Sequence, residues 1–199
     1  MKRIALIGDS HAQALWPRVK AKLELAGHDV VLTSANPGWS EAKYATSGIE
    51  SYLQNAHPDV VVFELGGNNR DFDTSSYVRT VGSLVKAAEA AGATKVIWVG
   101  PPTSTSATFE AMRVKTRAMQ AQVLPKLGVT WVDTQPMTAS GHGSDGVHFT
   151  TAGYSAWAAA LTPKLEAAMT SSGPSTAVWV GVAAFSLAVA ALVRQRMRR

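Results

Sequence analysis

Uninterrupted apolar runs that stop at glycine or polar residues alternate along residues 1–170 with longer stretches whose apolar side chains return every three or four positions. Residues 4–7 form one such run, closed by Gly8, as expected of a strand covered on both faces. Ala12, Leu15, Trp16, Val19, Leu23 and Ala26 follow at helical spacing, with Gly27 placed as a C-cap. Further runs predict strands at 30–32, 60–63, 95–99 and 129–132, that at 60–63 rich in β-branched residues and that at 95–99 stopped by Gly100, Pro101 and Pro102. Helical spacing returns at Tyr77, Val78, Val81, Leu84, Val85 and Ala88, and again at Tyr154, Trp157, Ala158, Leu161 and Leu165. Phe109, Met112, Met119 and Val123 give a weaker stripe, read as core, which Gly128 ends; a short helix is predicted at 49–55. Strands alternating with helices predict a three-layer α/β/α sandwich on a five-stranded parallel sheet in flavodoxin-like order 2-1-3-4-5.

The pattern changes after residue 170. Residues 171–176 are small and polar, 177–193 carry no charge, and 194–199 include four arginines. The predicted organisation is a domain at 1–170, a linker at 171–176, a transmembrane helix at 177–193 and a basic tail at 194–199. The apolar segment sits at the lower limit of about 17 residues for crossing a bilayer. Arginines beyond it predict a cytoplasmic C-terminus and a domain outside the cytoplasm, whereas a tail-anchored protein would keep the domain inside. Residues 1–9 begin like an export signal, but the apolar run is short and Asp9 interrupts it, so it reads as a strand.

Composition narrows the chemistry. With no cysteine among 199 residues, disulfides, a thiol nucleophile and thiolate metal sites are excluded. The formal charge of +5 falls to +1 once the four tail arginines are set aside, and no basic stripe interleaves with aromatics, so nucleic acid is not an expected partner.

Ligands of such sheets bind beyond the carboxyl ends of the strands, and the polar residues of interest fall there. Ser10 follows the first strand in Gly8-Asp9-Ser10-His11. A serine hydroxyl attacks a carbonyl only when a base within reach takes its proton. Asp145-Gly146-Val147-His148, after the fifth strand, offers His148 as base and Asp145 to hold its tautomer. The tetrahedral intermediate needs preorganised donors, for which the Ser10 backbone N–H, the Gly38 backbone N–H and the Asn68 amide of Gly66-Gly67-Asn68 are the candidates. Gly38 is preferred to Gly48 because it comes sooner after the second strand. His11, Trp39 and Asn69 are candidate substrate contacts. His28, His57 and His142 lack partners at metal-ligand spacing, and Asp71 and Asp73 read as surface loop residues.

Gly8-Asp9-Ser10, Gly38, Gly66-Gly67-Asn68 and Asp145-Gly146-Val147-His148 resemble, in order and spacing, the motifs of the SGNH hydrolases, the GDSL-type esterase superfamily, across essentially all of residues 1–170. The resemblance implies Ser10 as nucleophile, Gly38 and Asn68 as oxyanion-hole donors, Asp145 and His148 completing the triad, and a three-layer sandwich. His11 stands where the family motif has Leu, and Asn69 where Asp often follows the asparagine. The Gly-x-Ser-x-Gly elbow of α/β-hydrolases is absent, since Ala12 fills its last place. The segment from Asp145 to Tyr154 looks most like members acting on O-acetylated sugars or cell-wall polymers. The expectation is a serine esterase for small acyl esters, probe-labelled at Ser10 and needing no metal or cofactor. A membrane-tethered lysophospholipase or thioesterase, an O-acyltransferase on the same residues, and an inactive binding module are the alternatives.

Overall fold

The computed structural model describes residues 1–69 and 73–171. Its elements run β1 (Arg3–Gly8), α1 (Ser10–Leu25), β2 (Asp29–Ala35), α2 (Glu41–Ala45), α3 (Ile49–Ala56), β3 (Val60–Glu64), α4 (Thr74–Ala90), β4 (Lys95–Val99), α5 (Ala107–Val123), β5 (Thr130–Val132) and α6 (Thr151–Thr170). The five strands are parallel, in the order β2-β1-β3-β4-β5. Alternation of side chains along each strand divides the core in two. Ile4, Leu6, Val60, Val62, Ile97 and Val99 pack with α1 and α6. Ala5, Ile7, Val61, Phe63, Val96 and Trp98 face the other way, toward α3 and α4 and the end of α5. The three-layer sandwich and its strand order therefore match the reading from periodicity.

Two local expectations differ and a third is incomplete. The segment after Gly38 holds the one-turn helix α2, which the apolar pattern does not predict, and its first residue, Glu41, is buried. Met112 and Met119 are only partly buried, and the inward face of α5 is Arg113, Thr116, Arg117, Gln120 and Val123. That helix covers the polar floor of a site as well as apolar core, so its hydrophobic stripe is weak. Asp73 is exposed and in a loop, as expected, but it has a role the loop reading lacks: its carboxylate accepts the Ser76 N–H at 2.8 Å and caps α4. Among the described residues no helix is long and apolar enough to cross a membrane. The predicted span at 177–193, the basic tail, most of the predicted linker and Asp71 lie outside the described residues.

α1 and α6 pack side by side on one face of the sheet. Ser10 opens the first of these helices, and His148 lies just before the second.

Candidate active site

The chain turns from β1 into α1 within two residues, and Gly8 makes this turn possible. A Cβ at Gly8 would lie 2.8 Å from the Glu64 carbonyl oxygen and would collide with the Ala12 methyl. Asp9 is the N-cap, its Oδ1 accepting the His11 N–H at 2.9 Å. Ser10 is thus presented in the first turn of a helix, where backbone N–H groups have no intrahelical acceptor and the dipole favours negative charge.

The loop after β5 is shaped by Asp145. Its Oδ1 accepts the backbone N–H groups of Val147 and His148, both at 2.9 Å, while Oδ2 lies 2.7 Å from His148 Nδ1. One carboxylate oxygen bends the loop and the other holds the ring, which is the physical reason for a spacing of three. Gly146 between them has φ of 68°, and a Cβ there would meet Thr105 Oγ1 at 2.7 Å. The bond from the imidazole, followed by the two backbone N–H bonds, holds the Asp145 carboxyl well below its usual range. A carboxylate only accepts, so Nδ1 carries the proton and Nε2 presents a lone pair. That lone pair faces Ser10 Oγ at 3.0 Å. The structure therefore brings Ser10, His148 and Asp145 into one continuous hydrogen-bonded line.

Gly38 and Asn68 sit beyond the ends of β2 and β3. Gly38 has φ of 74°, in a turn closed by the Trp39 N–H on the Asn36 carbonyl at 3.1 Å. Asn68 Nδ2 donates to Asp9 Oδ2 at 2.9 Å and to the Trp39 carbonyl at 3.1 Å. The amide is consequently fixed between the serine elbow and the Gly38 turn. Gly48, the rival to Gly38, is instead the N-cap of α3.

The candidate substrate contacts separate. Trp39 is half-buried, with its ring edge-on to Tyr44 at 4.9 Å and the Lys43 ammonium over its face at 5.4 Å. His11 is buried, its ring 5.1 Å from that of His148. Arg113 Nη2 lies 2.8 Å from His11 Nε2, and an arginine only donates, so that nitrogen accepts and the His11 proton sits on Nδ1, toward Tyr154 Oη at 3.2 Å. Burial, then the Arg113 charge, pushes the His11 pKa well down, so it stays neutral beside His148. Asn69 is buried too, and its amide donates to Glu41 Oε1 at 3.0 Å rather than into the cleft.

Sequence reasoning missed the charged floor of the site. Asp9, Glu64 and Arg113 are fully or almost fully buried beneath Ser10. Burial pushes both carboxyls up, and the charge of Asp9 raises Glu64 further. Arg113 reaches from α5 to the carbonyls of Thr103 at 3.0 Å, Pro102 at 3.4 Å and Val147 at 3.5 Å, tying the loop after β4 to the His148 loop. The one available signal was the poor apolar phase of α5. Among the described residues no three His, Asp or Glu side chains are grouped to hold a metal ion.

A serine hydroxyl, an imidazole and a carboxylate aligned at the carboxyl rim of a parallel sheet define an acyl-hydrolase arrangement. The GDSL-like Lipase/Acylhydrolase family profile matches residues 6–156, and the chain belongs to that family. It is a carboxylic ester hydrolase. Its fold is similar to that of a carbohydrate acetylesterase family member from Sinorhizobium meliloti (17% identity, TM-score 0.68, covering 85% of this chain and 99% of that one). A carbohydrate esterase family 3 protein from Talaromyces cellulolyticus is similar at 24% identity and TM-score 0.60, over 85% of this chain and 98% of that one. A mutant acetyl esterase with an acetate ion is similar at 22% and 0.61, over 85% and 98%. No curated protein matches the chain in sequence.

Proposed function

We propose that the chain is a serine esterase that removes short acyl groups, acetyl above all, from carbohydrate esters. The observation that carries this reading is the line from Ser10 Oγ through His148 Nε2 at 3.0 Å to Asp145 at 2.7 Å. In the mechanism, Ser10 Oγ attacks the ester carbonyl as its proton passes to His148 Nε2. Asp145 stabilises the resulting imidazolium. The oxyanion accepts from the backbone N–H groups of Ser10 and Gly38 and from the Asn68 amide, whose longer bond to the Trp39 carbonyl is the one given up. His148 returns the proton to the departing alcohol, the C–O ester bond breaks, and an acyl-serine remains. Water then attacks with His148 as base, releasing the acid and restoring Ser10. Because His11 is held neutral, its own ring adds no positive charge beside the imidazolium.

The exposure of His148 and Asp145, 43% and 51% of their side chains, favours hydrolysis over transfer, because water reaches the acyl-enzyme freely. An open rim also suits an ester displayed on a polymer better than a long acyl chain, which needs apolar cover. The named activities of the similar structures, carbohydrate acetylesterases among them, support the same substrate class.

The test is a series of p-nitrophenyl esters from acetate to palmitate, with acetylated xylan as natural-type substrate, on wild type and Ser10→Ala. Acetate is expected to give the highest kcat/KM. A fluorophosphonate probe is expected to label wild type and leave the variant unmarked. Preference for the long chains would replace this reading by the lipid-ester one, and folded wild type without activity or label would end it.

A further inference from the structure

The two oxyanion donors that come from outside the serine elbow belong to separate loops, beyond Ala35 of β2 and beyond Glu64 of β3. Sheet pairing does not set their separation, because β2 and β3 are not neighbours; β1 lies between them. A side-chain link spans that gap. Glu41, three residues after Gly38, is 1% exposed. Its Oε1 accepts from Asn69 Nδ2 at 3.0 Å and from Tyr77 Oη at 3.1 Å. Asn69 is the neighbour of Asn68 in the chain. Tyr77 Oη, having given its hydrogen to Glu41, accepts from Gln120 Nε2 at 3.0 Å, and Gln120 Oε1 accepts from Trp131 Nε1 at 3.3 Å. The bonds thus run in one direction, from β5 through α5 and α4, and terminate on this carboxyl.

We propose that Glu41 is a positioning residue of the esterase, fixing the distance between the Gly38 N–H and the Asn68 amide by lashing α2 to the Asn68–Asn69 turn. The inference rests on the reading of Gly38 and Asn68 as oxyanion donors. A residue needed only to fill this space would be apolar, since burying a carboxyl is costly. The cost here is not recovered through Oε2, which has no hydrogen-bond partner among the described residues. Oε1 alone takes the link, and it takes it from the loop that carries the other donor. Transition-state donors must be held to within a fraction of an ångström, so such a link acts on kcat.

The experiment compares wild type, Glu41→Ala, Glu41→Gln, Asn69→Ala, Asn68→Ala and the Glu41→Ala/Asn69→Ala pair. It reads kcat and KM for p-nitrophenyl acetate and inhibition by phenylboronic acid, whose tetrahedral serine adduct places a hydroxyl where the oxyanion forms. Glu41→Ala is expected to lower kcat by about 10- to 100-fold, with KM changed less than about threefold and boronate inhibition weakened in proportion to kcat. Glu41→Gln, which keeps the accepting oxygen, is expected to stay within about threefold of wild type. The double variant is expected to be no worse than Glu41→Ala alone. If Glu41→Ala does not fold, Asn69→Ala carries the test through the same two readouts. An active wild type, impaired by Asn68→Ala but indifferent to Asn69→Ala in kcat and boronate inhibition, overturns this inference alone. An active wild type indifferent to Asn68→Ala overturns the oxyanion reading and this inference with it.

Discussion

Asn68 has two amide hydrogens, and both are engaged before any substrate arrives. The bond to Asp9 survives in the proposed mechanism, while the bond to the Trp39 carbonyl is exchanged for one to the oxyanion. In that mechanism Asp9 acts through Asn68, although it stands next to Ser10 in the chain. Asp9→Ala is expected to lower kcat for p-nitrophenyl acetate by about 10²-fold with little change in KM, the scale of losing one oxyanion donor. Wild-type kcat in a folded Asp9→Ala protein would falsify that role. At this scale the positions of Ser10, Asn68, Asp145 and His148 beyond strand ends were legible, because the proposed chemistry calls for those residue types there. Asp9 was legible only as the residue that interrupts the first apolar run. Glu41, Glu64 and Arg113 were not legible, since a buried charge is stabilised by partners distant in the chain and leaves no period in the sequence.

Elements whose inner face is wholly apolar were read closely. Lys95–Val99 was placed to the residue, and the helix marked by Tyr77 to Ala88 lies inside Thr74–Ala90. The stripe on α5 was the misleading one: Phe109, Met112 and Met119 lie partly exposed, while Arg113, Thr116, Arg117 and Gln120 point inward to carbonyls and hydroxyls. Periodicity reports burial in oil, and this helix is buried largely in hydrogen bonds. The β1–α1 turn is the opposite case, governed by a lack of room. Gly8→Ala is expected to cost about 1–3 kcal/mol in urea unfolding, because neither the Glu64 backbone nor Ala12 can give way, and to reduce esterase activity by displacing Ser10. A variant as stable and active as wild type would show that the elbow has slack.

For the molecule as a whole, the buried carboxyls bias stability toward mildly acidic pH. Burial pushes Glu41 up to about 7 from an ordinary 4.5, against the pull of its hydrogen bonds. Between those values the folded chain holds a proton that the unfolded chain has released, so stability is fully present below the ordinary value and is lost as pH rises through about 7. The span corresponds to about 3 kcal/mol. Asp145 acts in the other direction, its contribution present above the ordinary carboxylate range and lost on acidification, but its exposure makes that contribution small. Urea midpoints are thus expected to fall between pH 5 and pH 8, with a shallower fall in Glu41→Gln; identical slopes would remove Glu41 from the account. The two helices that share one face of the sheet carry a different consequence. Trp16 and Trp157 belong to the apolar cluster between sheet and helices, and Ser10 and His148 stand at the same ends of those helices. In the proposed mechanism the gap across which the proton moves is inherited from greasy contacts that never meet solvent, so a methylene lost deep in that seam is expected to slow the enzyme as well as loosen the fold.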